Sequence, residues 1–378
     1  MKEDELYLLR QSTLYARHTE YEAMIGQIDN YTKLSGLPIR LALFTSSVDP
    51  SRFFCDVSSS EYKIVTKYSA VNVFIGDLHR QYGRKQRHSI SGDFVLFRHD
   101  KYNVYFLLTD EGTTFFEEGI LKYVRSRYPR LTLPFFYSWE IEMMLNRLAK
   151  TRPESRIMLT KISKKSRLIA GESRKEKETE LTWTDLFYRD VFRQVKQTDT
   201  WIEKVYFDLM TEARPGVSKF GSKTMSGLVS RDGVFKVESG FRLLYDTVLD
   251  QAIEIFSRRT EQLSNRARTK DTQFKPKPLF IEFDEPVFHD KEQNRRLIEV
   301  IKHLSNSARS VIHDNPYLHV SVIDYMDNSN YEVWVLSDSR ISIVPQTICT
   351  MHSLNRFCDH ISKEFQEGMV KDSREMGN

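Results

Sequence analysis

The sequence predicts an α+β fold with mostly antiparallel strands, and three observations carry that expectation. Residues 39–109 form a chain of short apolar runs separated by turn residues. Phe241, Leu244, Tyr245, Val248, Leu249, Ala252, Ile253 and Phe256 recur at helical spacing over four turns. The strand patterns at 318–323, 332–336 and 341–344 then precede a closing amphipathic helix, so strands and helices are segregated rather than alternating.

Taken in order, residues 3–26 read as a helix, which Ser35-Gly36-Leu37-Pro38 then interrupts. Strands follow at 40–44, 62–66 and 71–75. Runs 93–97 and 104–108 flank His99-Asp100-Lys101-Tyr102, which predicts a β-hairpin. Thr114 and Glu117 have the spacing of a capping box at the head of the next helix. That helix ends at Tyr128-Pro129, because the residue before proline disfavours helix. Ile141, Met144, Leu145 and Leu148 mark another helix.

Residues 157–170 suggest a hairpin tipped by Ser163-Lys164-Lys165-Ser166, 171–180 a charged connector, and 183–196 a helix. Residues 204–209 alternate, with Val205, Phe207 and Leu209 on one side and Lys204, Tyr206 and Asp208 on the other. A turn at Ser230-Arg231-Asp232-Gly233, a strand at 279–283 and a helix at 291–304 with Asp290 as N-cap complete the pattern. The expected division is an α+β N-terminal domain at 1–152, a basic hairpin and helix connector at 153–200, and an α+β C-terminal domain at 201–378, where strand hairpins pack with amphipathic helices.

Hydrophobic residues make up 40% of the 378-residue chain and charged residues 29%, a globular rather than a disordered composition. No apolar run approaches the length of a membrane-spanning helix. The charged start Met1-Lys2-Glu3-Asp4-Glu5 is not followed by an apolar stretch, so no signal peptide is expected. Three cysteines are too few and of the wrong parity for a disulfide framework, which fits a cytoplasmic protein without disulfides. Net charge is only +4, but it is unevenly spread. Residues 122–196 hold 18 Lys and Arg against 9 Asp and Glu, and residues 258–277 hold 7 against 2. Residues 279–339 reverse the sign, with 5 against 11.

The candidate phosphate-contacting residues lie in the two basic regions: Lys161, Lys164, Lys165, Arg167, Arg189, Arg193 and Lys196, then Arg258, Arg259, Arg266, Arg268 and Lys270. Phosphate contacts require charge more than fixed geometry, so cations on loops and helix faces suffice. A solvated charged face is the competing explanation.

Gly76-Asp77-Leu78-His79 after an apolar run resembles the first metal-binding motif of calcineurin-like metallophosphoesterases. The resemblance implies that Asp77 and His79 hold a metal that activates water. The second motif of that family would fall at 92–98, which lacks its second Asp, and no Gly-Asn-His-Glu follows. Asp56 with Glu61-Tyr62-Lys63 resembles the carboxylate-and-lysine arrangement of restriction-type nucleases, with a shorter gap. Glu282 and Asp284, with Glu285, His289 and Asp290, form an acidic group at a strand exit that could hold Mg2+ or Mn2+. Cys349, His352, Cys358 and His360 carry zinc-ligand groups, but Cys358 lies on the apolar stripe of its helix while the histidines lie off it.

The leading expectation is therefore a non-catalytic binding subunit of a larger complex that contacts DNA or RNA phosphates through its basic middle region, with no cofactor. One alternative is a metal-dependent nuclease or phosphodiesterase using Mg2+ or Mn2+ at Asp77 and His79 or around Glu282 and Asp284. The other is a protein-interaction subunit whose acidic C-terminal part docks a basic partner.

Overall fold

The computed structural model describes residues 21–69, 72–83, 88–167, 178–196, 198–211, 221–268, 277–314 and 317–372, with main chain only for 178–186 and 196. The fold is α+β, and every strand pairing whose register is defined is antiparallel. The chain forms two compact units: Met1–Lys164 with Thr179–Thr198 and Ile202–Glu254, and Lys165–Glu178 with Asp199–Trp201 and Ile255–Asn378.

The first unit opens with helix α1 (Tyr21–Ser35), strand β1 (Ile39–Ser46) and a short turn of helix, α2 (Ser51–Phe54). Strands β2 (Tyr62–Ser69), β3 (Val73–Tyr82), β4 (His88–Arg98) and β5 (Tyr105–Thr109) follow. A π-helical segment, Phe115–Leu121, leads into α3 (Lys122–Ser126), followed by β6 (Leu131–Thr132) and α4 (Ser138–Thr151). Then come β7 (Ser155–Ser166), β8 (Glu178–Phe187), α5 (Tyr188–Lys196), β9 (Thr200–Thr211), β10 (Lys223–Ser230) and β11 (Val234–Ser239). The strands form one sheet in the order β2-β3-β4-β5-β1-β11-β10-β9-β7-β8, with β6 beside β1. Strands β9, β10 and β11, which the sequence pattern grouped with the C-terminal part, thus belong to this first sheet.

Strand register assigns side chains to the two faces, because directly paired residues point the same way. One face carries Ala42, Phe44, Phe74, Leu78, Phe94, Leu96 and Leu107, buried beneath Phe115, Phe116, Ile120 and Tyr123. Each such ring removed from water stabilises the fold by roughly 1.5–3 kcal/mol. The other face carries Leu41, Leu43, Val95, Phe97 and Phe106, and receives Tyr21 of α1 against Phe97 and Phe106. Tyr21 also meets Tyr245 of a second π-helical segment, Tyr245–Leu249, which lies between α6 (Phe241–Leu244) and α7 (Asp250–Ser264).

The second unit contains β12 (Leu279–Glu282), α8 (Lys291–Lys302), β13 (Ser307–His313), β14 (Leu318–Asp324), β15 (Ser329–Ser337), β16 (Arg340–Pro345), α9 (Met351–Glu364) and β17 (Met369–Asp372). Its sheet runs β13-β14-β15-β16-β12-β17. Val320, Val322, Tyr331, Val333, Ile341 and Ile343 are buried, and the Phe357 ring of α9 packs edge-on against Tyr331. Asp290 accepts from the amides of Glu292 and Gln293, the expected N-cap. A charged network centred on a buried carboxylate ties this unit together. Asp324, fully buried, accepts from Arg356 Nε at 3.1 Å, forms an ion pair with the same guanidinium at 2.7 Å, and accepts from Ser353 Oγ at 2.7 Å and from the Met326 amide at 2.9 Å.

Local structure departs from the sequence pattern in several places. The first described helix covers Tyr21–Ser35, and positions 3–20 of the expected helix lie outside the described residues. Residues 163–166 are the end of the continuous strand β7 rather than a hairpin tip. Residues 183–187 are strand, and helix α5 begins only at Tyr188. Thr114 makes no side-chain cap, because the chain there enters a π-helical turn.

Candidate functional site

The structure places the predicted cations in three kinds of environment. Arg259 and Arg266 are buried, and Arg266 forms an ion pair with Asp372, itself buried. Arg268 donates to the Pro345 carbonyl at 3.5 Å, while its main chain exchanges hydrogen bonds with Cys349. These arginines fasten the second unit together. Arg167 pairs with Asp199 at 3.2 Å and donates to the Thr200 carbonyl at 3.0 Å, and the Lys165 ammonium lies 5.6 Å from the Trp201 ring.

Arg189, Arg193 and Arg258 are exposed. Arg189 donates to the Tyr188 hydroxyl at 3.2 Å and Arg193 pairs with Asp190 at 3.3 Å, both on α5. The Tyr188 hydroxyl is anchored at 2.7 Å on Asn146 of α4. Lys164 is half-buried in β7. The side chain of Lys196 and all of Lys270 lie outside the described residues.

Lys161 belongs to a more organised group, of which the alternation of 204–209 marks only Lys204, Tyr206 and Asp208. Register pairs Arg40 of β1 with Lys236 of β11, Lys236 with Leu228 of β10, and Leu228 with Tyr206 of β9. These four side chains therefore cross the sheet in one row on one face. The Lys161 ammonium sits 5.6 Å from the centre of the Tyr206 ring, and Lys204 lies two residues from Tyr206 on the same face. Four cations, Arg40, Lys161, Lys204 and Lys236, thus share a half-exposed face with the carboxylates Glu238 and Asp208, and Glu117 also acts on Arg40. Glu238 pairs with Lys236 at 2.6 Å, and Asp208 stands 3.8 Å from Lys223.

Arg40 is held by the Glu111 carbonyl at 2.7 Å and by Thr113 Oγ1 at 2.9 Å, and burial pulls its guanidinium below the ordinary arginine value. The signal for this row was present in the alternation of 204–209 and of Val234-Phe235-Lys236-Val237, but only the pairing of distant strands aligns them.

The acidic candidates are separated and engaged. Asp77 and His79 lie within β3, which continues to Tyr82, instead of at a strand exit. Asp77 faces Asp93 across the strands, and Lys67 pairs with both. Glu111 close by is pushed up first by burial and then by Asp110, Asp93 and Asp77. Asp56 is held low by the Thr66 amide at 3.0 Å, and Glu61 pairs with Arg80 at 2.7 Å. Glu282 pairs with Lys371, and Asp284 lies exposed beyond the end of β12.

The cysteines are free thiols. Burial pushes Cys358 up to about 12 and His352 down to about 4, while His360 donates to the Val300 carbonyl at 2.7 Å. Among the described residues, no group of three or more His, Cys, Asp or Glu side chains is disposed to hold a metal ion. No helix among them is long and apolar enough to cross a membrane. Neither the family models nor the curated proteins compared with this chain match it.

Proposed function

We propose that this chain is a nucleic-acid-binding subunit that contacts phosphates through the cationic row on the first sheet. The observation that carries the reading is the register that aligns Arg40 and Lys236 with Tyr206, with Lys161 over the tyrosine ring. Lysines at about strand spacing suit the repeated charge of a phosphate backbone, and an aromatic among them offers a stacking surface for an unpaired base. The exposed Arg189 and Arg193 add charge on α5. Free thiols at Cys55, Cys349 and Cys358 suit action in the reducing cytoplasm, within a larger complex.

The test is an electrophoretic mobility shift at low salt with labelled single strands and duplexes. The wild-type chain is expected to retard the single strand, and K161E/K204E/K236E to lose that shift while keeping its circular dichroism spectrum. Free migration with the wild-type chain at low salt would remove the reading.

A second reading, docking of a protein partner, is supported by a separate observation in the second unit. Ile312, Tyr317, Ile323, Tyr325, Met326 and Leu336 are all exposed within a span of 25 residues around β13, β14 and β15. Ile323, Tyr325 and Met326 lie close together at the end of β14, and exposed apolar side chains there favour a protein contact. Co-purification of a stoichiometric partner that I323E and Y325E release would support it, and a chain that purifies alone from its native cells would oppose it.

A further inference from the structure

A cavity of about 520 Å3 opens at one end of the strands of the first unit, outside the cationic row. Its volume falls in the range of small-molecule sites, roughly 300–1,000 Å3. Its apolar wall comes from Val48 and from the edges of the largely buried Phe74 and Leu96, with Tyr105 stacked on Phe44 at 5.3 Å behind it. Register pairs Arg98 with Tyr105 and Leu96 with Phe74, so guanidinium, phenol and apolar wall share one face.

The polar side of the cavity is rich in donors. Arg98 is exposed, its charge acts on the Tyr105 hydroxyl, and it forms no ion pair with any described residue. The side chains of Ser47, Ser69 and Asn72 also line the cavity and are not engaged by any described residue. Of the other polar groups there, Asp49 is tied to its own turn through the Ser51 amide at 3.0 Å on Oδ1, and Ser46 Oγ donates to the Val48 carbonyl at 2.6 Å. One cation and several unused donors beside an apolar wall describe a site for one anionic head group on a flat, mostly apolar body. Asp49, as a fixed negative charge on the rim, disfavours a second anionic group.

We infer that this cavity binds a small organic phosphate monoester of nucleoside monophosphate size, with the phosphate on Arg98 and the ring against Phe74 and Leu96. Phosphate suits the donor set better than carboxylate, because it offers three oxygens to Arg98, Ser47, Ser69 and Asn72. The inference does not depend on the cationic row.

The test is calorimetric titration of the full chain with adenosine monophosphate, with adenosine and inorganic phosphate titrated separately. Adenosine monophosphate is expected to bind, and each half-ligand to bind at least about tenfold more weakly, the loss expected for a missing charge-assisted contact or a missing ring. Arg98→Gln is expected to weaken adenosine monophosphate about tenfold or more, with an unchanged melting temperature because Arg98 is exposed. K161E/K204E/K236E is expected to bind it as the wild-type chain does, which separates this site from the nucleic-acid reading. Adenosine binding as tightly as its monophosphate, an R98Q variant that binds normally, or no heat from the monophosphate at millimolar concentration would each overturn the assignment.

Discussion

A surface row on the first sheet and a buried set in the second unit use arginine and lysine in different ways, although the first unit also buries Arg80 against Glu61. In the first unit, Arg40, Lys161, Lys204 and Lys236 lie half-exposed across one face and outnumber the carboxylates among them. In the second unit, Arg266 is sealed against Asp372, and Arg356 reaches the fully buried Asp324. A cation that faces water holds only weak surface partners, which a ligand can replace. A cation taken out of water needs a partner of its own, because several kcal/mol of lost hydration must be offset. Local charge density therefore does not identify a binding surface: the basic run at 258–277 includes two buried arginines, whereas the row on the first sheet is drawn from four separate stretches of chain.

The largest expected effect tests the internal half of that contrast. Asp324→Ala leaves the Arg356 guanidinium without its carboxylate and is expected to cost about 3–5 kcal/mol in urea unfolding. A loss below about 1 kcal/mol would mean that water reaches the network. Arg266→Ala is expected to cost a similar amount, because Asp372 then stays buried and unpaired.

A smaller effect concerns protons. His352 is buried and its folded value is about 4, below the ordinary 6.5, because burial disfavours the charged ring. The folded state thus binds fewer protons than the unfolded state. Its contribution is complete above pH 6.5 and is lost as pH falls from 6.5 towards 4. The loss is about 3 kcal/mol relative to His352→Gln, read as the difference between their stabilities in urea across that range. Parallel stability curves for the two proteins would show the ring to be hydrated.

Smallest of all should be the cost to stability of the exposed cations. Lys161→Ala, Lys204→Ala and Lys236→Ala are each expected to change unfolding free energy by no more than about 0.5 kcal/mol. A loss of several kcal/mol from any of them would class that lysine with Arg266 instead.

How far the sequence foretold this follows from the range of the interactions involved. The hairpin of β4 and β5 was legible because the apolar runs 93–97 and 104–108 and the turn at 99–102 are local. The Asp290 cap was legible for the same reason. Residues 183–187 read as helix because Trp183, Leu186 and Phe187 fit a helical stripe, yet Leu181 and Trp183 also alternate with Thr182 and Thr184, and strand pairing selects that period. The run Ser163-Lys164-Lys165-Ser166 resembled a turn by its charge, but it has no Gly, Pro, Asn or Asp to reverse the chain, and β7 runs straight through it. Strand β13 was missed because it lies at a sheet edge and is largely exposed, so it carries no buried alternation. The cationic row was half legible. Lys204 and Tyr206 were seen to share a face, but nothing local joins them to Arg40, more than 160 positions away in the chain. The same holds for the burial of Arg266, which depends on a partner close to the C-terminus.

The measurement closest to the central claim is the salt dependence of nucleic-acid affinity for the wild-type chain and for K161A/K204A/K236A. Each phosphate contact contributes about 0.7–0.9 to the slope of log affinity against log salt, so removing three lysines is expected to flatten the slope by about 2. Equal slopes for the two proteins would mean that the row on the first sheet does not touch phosphate.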